Sequence, residues 1–263
     1  MDMTTNDGIL QRTDANSVAT LTLNRPAARN ALSTGLMAAL QTELDAIASD
    51  RSVRVVVIAA NGPAFCAGHD LREVRGTPTR KAYEALFAQC SALMLSITRL
   101  PQPVIARVHA TATAAGCQLV ATCDLAVAAD SAHFATPGVN IGLFCSTPMV
   151  AVSRNLGRKL TMEMLLTGET IDAETARAGG LVNKVVADDD LDAAVDAYCR
   201  QIASKSALTL KIGKEAFYRQ LDMPLEDAYT FASEAMVTNM LARDAEEGID
   251  AFLEKRDPEW RDE

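Results

Sequence analysis

The sequence predicts an α/β fold: a layered core of repeated ββα units, followed by a helical C-terminal region. Three observations predict it. Strand, strand and helix signals recur in that order at least twice along the first half of the chain. The run "VRVVVIAA" (53–60) is apolar without alternation, as in a strand buried on both faces of a helix-covered sheet. The last 60 residues, from "SALTLKIGKEAFYRQ" to "IDAFLEKR", read as helices only.

The elements follow in order. "GILQR" and "SVATLTL" are strand-like and flank the turn composition "TDAN", which predicts an opening hairpin. Ser33 is placed to cap a helix in which Leu36, Met37, Leu40, Leu44 and Ile47 recur at helical spacing. After the buried strand a long helix is expected over 79–99, then a strand at "PVIARV" and a short helix within "ATAAGCQLVATCD" (112–124). Strands are expected near "LAVAA" and "AHFAT". From about residue 144 the pattern turns mainly helical, broken by the strand candidate "LVNKVV". No sequence-level repeat is visible. Met223, Met236 and Met240 in the last helices suit either core packing or the apolar stripe of a helical region that meets another subunit.

The chain has 263 residues, 49% of them apolar, enough for one large domain or a domain with a small appendage. With a net charge of -9 and no Lys/Arg block longer than a dipeptide, it lacks the basic face that nucleic acids and anionic membranes require. No apolar run is long enough to span a bilayer. The N-terminal "MDMTTNDGIL" is acidic and polar, unlike a secretory or mitochondrial leader, and a cytoplasmic protein is expected. The six cysteines, at 66, 90, 117, 123, 145 and 199, are scattered through apolar surroundings without a CxxC pair. They read as buried reduced thiols rather than metal ligands or disulfides. No metal site is expected.

Several segments together resemble the crotonase superfamily, the enoyl-CoA hydratase/isomerase family. "NRPAARNAL" (24–32) resembles its nucleotide-side loop and "AFCAGHDL" (64–71) its first oxyanion loop. "PVIARVHATATAAGCQLVATCDLAVA" (103–128) resembles its signature region. "MEMLLTGETIDAETARAGGLVNKVV" (162–186) and "EEGIDAFLEKRDPEW" (246–260) resemble its later helical parts. The resemblance runs in order from about residue 8 to 260. It implies a spiral ββα core over 1–200 that binds an acyl-CoA thioester, and a helical oligomerisation region over 201–263. The implied partners are the thioester and further copies of the chain, as a homotrimer or dimer of trimers. No cofactor beyond the thioester substrate is implied.

Chemistry of this family places charge on the thioester oxygen, and backbone N–H groups at a helix start can stabilise it. The ligand must approach the main chain, so neighbouring side chains must be small. Ala112, Ala114, Ala115 and Gly116 meet that need. The resemblance assigns one oxyanion donor to the Ala115 N–H and the other to the His69 N–H. Alanines stand at 114 and 115 where the family usually has glycines. Ordinary backbone angles are therefore expected there. The resemblance also places Ala27 and Ala28 at the nucleotide end of coenzyme A, and Ala67, His69, Asp70 and Leu71 along the segment that runs beside the pantetheine and adenine. Gly116 and Asn140 complete the expected binding set, and Arg261 could reach a phosphate across a subunit boundary.

Hydratases of the family use two glutamates. The motif places the first at Gln118 and the second at Gly138. An amide can hold water but cannot take its proton at neutral pH, and glycine offers nothing. Efficient enoyl-CoA hydration is therefore doubtful. Cys145, Ser146 and Thr147 lie beyond Gly138, and Cys145 reads as a buried inert thiol. His109 and His133 read as structural, and Glu163 and Glu169 as surface charges. Three readings stay open: hydratase/isomerase chemistry with substitute groups, decarboxylation of a malonyl-type thioester or thioester cleavage, and non-catalytic acyl-CoA binding.

Overall fold

A computed structural model describes residues 8–263; most of the polar N-terminal stretch discussed above lies outside them. β1 (Leu10–Ala15) and β2 (Val18–Leu23) form the opening hairpin, paired from Leu10–Leu23 to Ala15–Val18. Asn16 and Ser17 take φ of 51° and 62°, the doubly positive turn that matches strand twist. β2 lies parallel to β3 (Val55–Ala60), whose six residues are all buried. The Ser33 hydroxyl accepts from Leu36 N–H at 3.1 Å and starts α1 (Thr34–Ala48). α1 buries the five apolar residues of its helical stripe.

α2 (Leu71–Gly76) and α3 (Arg80–Arg99) follow, then β4 (Val104–Val108), β5 (Ala112–Thr113) and α4 (Ala115–Thr122). Next come β6 (Leu125–Ala129), β7 (His133–Ala135), α5 (Pro148–Asn155), α6 (Arg158–Thr167) and β8 (Thr170–Asp172). The last strand, β9 (Lys184–Val186), lies between α7 (Ala173–Gly179) and α8 (Leu191–Ala203). α2, β5 and β8 lack a sequence-based expectation; six, two and three residues are too few for a period.

The large sheet runs β1-β2-β3-β4-β6-β9 and the small one β5-β7-β8. Two parallel bridges, Leu32–His69 and Cys66–Ala112, extend the pattern of the small sheet. Each pass of the chain thus lays a strand in the large sheet, a short extended piece beside the small one, and then a helix. This is the expected ββα repetition. One face of the large sheet packs on α1, α3 and α4. The other packs Val55, Val57, Ile105 and Val127 against Leu191, Val195 and Cys199 of α8. β3 is buried on both sides for that reason.

α9 (Ala207–Gln220), α10 (Leu225–Met240) and α11 (Arg243–Glu254) close the chain. Lys214 of α9 ties them to the core: its ammonium donates to the carbonyls of Ile97 and Gln102 and to Asp124 Oδ2 at 2.6 Å. Tyr218 donates to the other oxygen of Asp124. Burial lowers the Lys214 pKa, while Asp124 opposes the fall. At the chain end, Asp244 accepts from the N–H groups of Arg261 and Asp262, and Asp262 pairs with Arg54. Neither α9 nor α10 has a buried residue. Leu225, Tyr229, Leu241, Phe252 and Leu253 are each about two-thirds exposed or more, and Met236 and Met240 are half-exposed or more. Within one chain these two methionines are not core residues.

Candidate active site

The site is assembled where the chain leaves the C-terminal ends of β2, β3 and β4. Arg25 and Asn30 organise the first loop. The buried Asn30 amide donates to the carbonyls of Asn61 and Ala64 and its oxygen accepts from Arg25 N–H. Arg25 also pairs with Asp70 at 2.9 Å and holds that carboxyl below the usual carboxylate range. Ala67 N–H donates to Arg29, Leu32 N–H to Gly68, and Asp70 N–H to Leu32. Ala27, Ala28, Ala67, His69, Asp70 and Leu71 are therefore brought onto two stitched loops.

The second loop meets α4. Because Leu32 bonds to Gly68 and Asp70, its parallel bridge leaves the intervening His69 N–H free. Ala115 opens α4, where N–H groups lack helical acceptors. Among the described residues, neither the His69 nor the Ala115 N–H has a hydrogen-bond partner. The two segments touch: a Cβ on Gly68, whose φ is 90°, would lie 3.3 Å from Ala115 N and 2.9 Å from the Ala114 Cβ. A Cβ on Gly116 would run into the Cys66 carbonyl, so this glycine allows the helix start to press against the loop. Its missing side chain faces protein.

Ala114 corrects one expectation. Its backbone sits at φ 49°, ψ -119°, not at ordinary angles. Its N–H is drawn to the Ala135 carbonyl at 2.9 Å while the next residue must already start a helix. That reversal demands a conformation normally left to glycine.

One turn into α4, Gln118 is 5% exposed, and its Oε1 is buried without a partner. The Thr136 hydroxyl, just after the strand that pairs with β5, is likewise buried and unpartnered. Both ring nitrogens of His69 are unpartnered too, and the ring stands edge-on to Phe87 at 5.8 Å. Burial lowers the His69 pKa. At Gly138 there is no room for a side chain: a Cβ would stand 2.5 Å from the Leu143 carbonyl oxygen and 2.9 Å from Cys145 Sγ. The site thus offers free donors and neutral polar groups, with no carboxylate at 118 or 138.

The enoyl-CoA hydratase/isomerase family model matches residues 13–263. The chain belongs to that family. Human enoyl-CoA hydratase domain-containing protein 3, mitochondrial, is 46% identical over 94% of this chain and 81% of its own length. The 2,3-dehydroadipyl-CoA hydratase of Escherichia coli is 36% identical over 93% and 95%. The crystal structure of enoyl-CoA hydratase from Mycobacterium smegmatis superposes with a TM-score of 0.95 at 55% identity, covering 97% of this chain and 99% of that one. The crystal structure of the human domain-containing protein 3 gives 0.94 at 45%, covering 96% and 100%. The cytoplasmic expectation is overturned, because the rat, mouse and human relatives are named mitochondrial.

Against this family pattern the remaining residues sort by position. Asn140 is exposed and its amide lies beside Gly168 at the end of α6. Arg261 lies with Asp262 and Arg54 near the N-terminal end of β3, the opposite end of the sheet from His69. Within one chain it does not join the other candidates. His109 holds the Gly62 carbonyl and His133 that of Ser131. Glu163 and Glu169 are exposed. Among the described residues no cluster of three His, Cys, Asp or Glu could hold a metal. Sequence reasoning missed Asn30, Arg25 and Thr136. Asn30 and Arg25 lay inside a quoted motif, but only burial reveals what their side chains do.

Proposed function

We propose that this protein binds an acyl-CoA thioester with its carbonyl oxygen between the N–H groups of His69 and Ala115, which stabilise an enolate or related oxyanion. The observation that carries this reading is the pair of unpartnered N–H groups on touching segments, one of them at a helix start. Ala27, Ala28, Ala67, Asp70 and Leu71 would flank the coenzyme A, with no cofactor beyond the thioester. Hydration through two carboxylates is disfavoured, since Gln118 is an amide and the space at Gly138 is filled. Losing general acid–base groups costs on the order of 10²–10⁴ in rate per group.

A second reaction class suits the same groups. In a malonyl-type thioester the carboxylate leaves as carbon dioxide, its electrons pass to the thioester, and the resulting oxyanion needs donors but no protein base. The donors and neutral groups of the site favour this over hydration. The exposed apolar faces of α10 and α11 support a homo-oligomer, a trimer or dimer of trimers. Calorimetric titration with acetoacetyl-CoA tests the site. Micromolar binding that is lost in Gly68→Val supports it, and no binding at millimolar ligand rejects it. Crotonyl-CoA hydration and malonyl-CoA decarboxylation assays then separate the two chemistries.

A further inference from the structure

We propose that the Cys145 thiol is the group that exchanges a proton with the α-carbon of the bound thioester, taking the place of a side chain at position 138. This rests on the reading that the site binds acyl-CoA. The geometry begins at Gly138. Leu143 N–H closes back onto the Gly138 carbonyl at 2.9 Å, which folds residues 138–145 into a tight loop. That loop carries Cys145 Sγ to 2.9 Å from where a residue-138 Cβ would stand. A thiol, not a vacancy, therefore occupies the path of the missing side chain.

The loop also leads back to α4: Cys145 lies just before α5, which packs against that helix, and it is close enough to help raise the pKa of the Cys117 thiol, two residues from Ala115. Independent features of this helix point to a ligand. The Ala115 N–H is free, and Gln118, 95% buried by its 5% exposure, keeps an unpartnered Oε1. Cys145 itself is 7% exposed. Burial raises its pKa and the Gly138 N–H restrains the rise. Cys117 is pushed up to about 12 by burial. Among the described residues no carboxylate or cation shifts Cys145.

The step balances without any co-reactant. The thiolate takes the α-proton, the C–H electron pair moves into the thioester, and charge collects on its oxygen. Collapse of the enolate takes the proton back from S–H, and the thiol exchanges with water between turnovers. At neutral pH the protein holds mainly the S–H form, which can deliver a proton; removal needs the thiolate and speeds up as pH rises.

The test is deuterium exchange at the α-carbon of butanoyl-CoA in D2O, read by mass spectrometry, for wild type, Cys145→Ala and Cys145→Ser. Acetoacetyl-CoA binding is titrated for each. The wild type is expected to exchange, with a rate rising with pH between 7 and 9. Both variants should bind acetoacetyl-CoA within a few-fold of wild type yet exchange about 10²-fold more slowly or worse, losing the alkaline rise. Near-isosteric serine keeps the fold if alanine does not. Exchange at the wild-type rate in either variant overturns the proposal. So does absence of exchange in a wild type that binds, or a profile levelling off near pH 6.5 or below, which would indicate His69. Failure of the wild type to bind acetoacetyl-CoA instead overturns the acyl-CoA reading beneath it.

Discussion

The start of α4 and the loop from Pro137 to Cys145 have diverged from the hydratase pattern in different ways. At α4 the helix start exposes N–H groups: Gly116 presses on Cys66 and Ala115 N–H is free, while alanines stand at 114 and 115 where the family usually has glycines and an amide stands at 118 where the resemblance places an acid. At Gly138 the space itself has gone, taken by the Leu143 carbonyl and the Cys145 sulfur. A changed functional group can be reversed by one substitution. A filled space cannot. The chemistry of the site should therefore respond to position 118 and resist position 138.

The largest expected effect is at the frame. Gly116→Ala would place a methyl inside the Cys66 carbonyl, where backbone rather than a flexible side chain must yield. We expect a loss of about 3 kcal/mol or more, seen as a lowered thermal midpoint, together with loss of acetoacetyl-CoA binding. Intact binding would mean that the donors do not depend on that contact. Next is Gly138→Glu, which meets a carbonyl oxygen 2.5 Å from its Cβ and must displace Cys145. It should cost about 2 kcal/mol and give no gain in crotonyl-CoA hydration. A gain of orders of magnitude would show that the loop opens readily, and the contrast between the two regions would collapse.

Sequence reasoning succeeded where the information is local. Ser33 and the stripe from Leu36 to Ile47 predict α1 because cap and core face lie within one helix. β3 was legible because burial on both faces leaves an uninterrupted apolar run. What escaped is what distant residues impose. Asp124 joins Lys214 and Tyr218 across 90 and 94 positions, and nothing near Asp124 announces that role. The candidate donors could be placed by family resemblance. The filling of Gly138 could not, because it depends on how the chain returns from Leu143. Ala114 failed for the same reason: its angles answer to Ala135 on a neighbouring strand.

Gln118→Glu sharpens the contrast from the reversible side. A carboxyl in this 95%-buried setting (5% exposed) should titrate above the unfolded value of about 4.3, because burial disfavours its charge. With the folded pKa raised, the variant keeps its full stability below that unfolded value. It loses stability as pH rises towards the folded pKa, by about 1.4 kcal/mol for each unit of elevation. Denaturant titrations at pH 4 and pH 8, run beside wild type, measure this. Hydration should rise by about 10²-fold where the Cys145 thiol supplies the α-proton, and by no more than about tenfold where position 138 is simply closed. A stability difference that does not change with pH would mean the amide lies in a wetter place than its burial implies.

The smallest effect runs the other way. Ala114 holds φ 49°, ψ -119°, a conformation that costs an alanine about 1–3 kcal/mol. Ala114→Gly removes that strain, and the extra freedom of glycine in the unfolded chain takes back about 0.5–1 kcal/mol. The net gain should be about 1 kcal/mol, a rise of about 2–4 °C in thermal midpoint for a chain of this size. Binding of acetoacetyl-CoA should stay unchanged, since the donor belongs to Ala115. The opposing term is the Ala114 methyl, which packs against Gly68 at the point where the two loops meet. If the glycine variant is less stable and binds more weakly, that methyl holds the donors in register. The alanine would then be a working part of the site, not a tolerated strain.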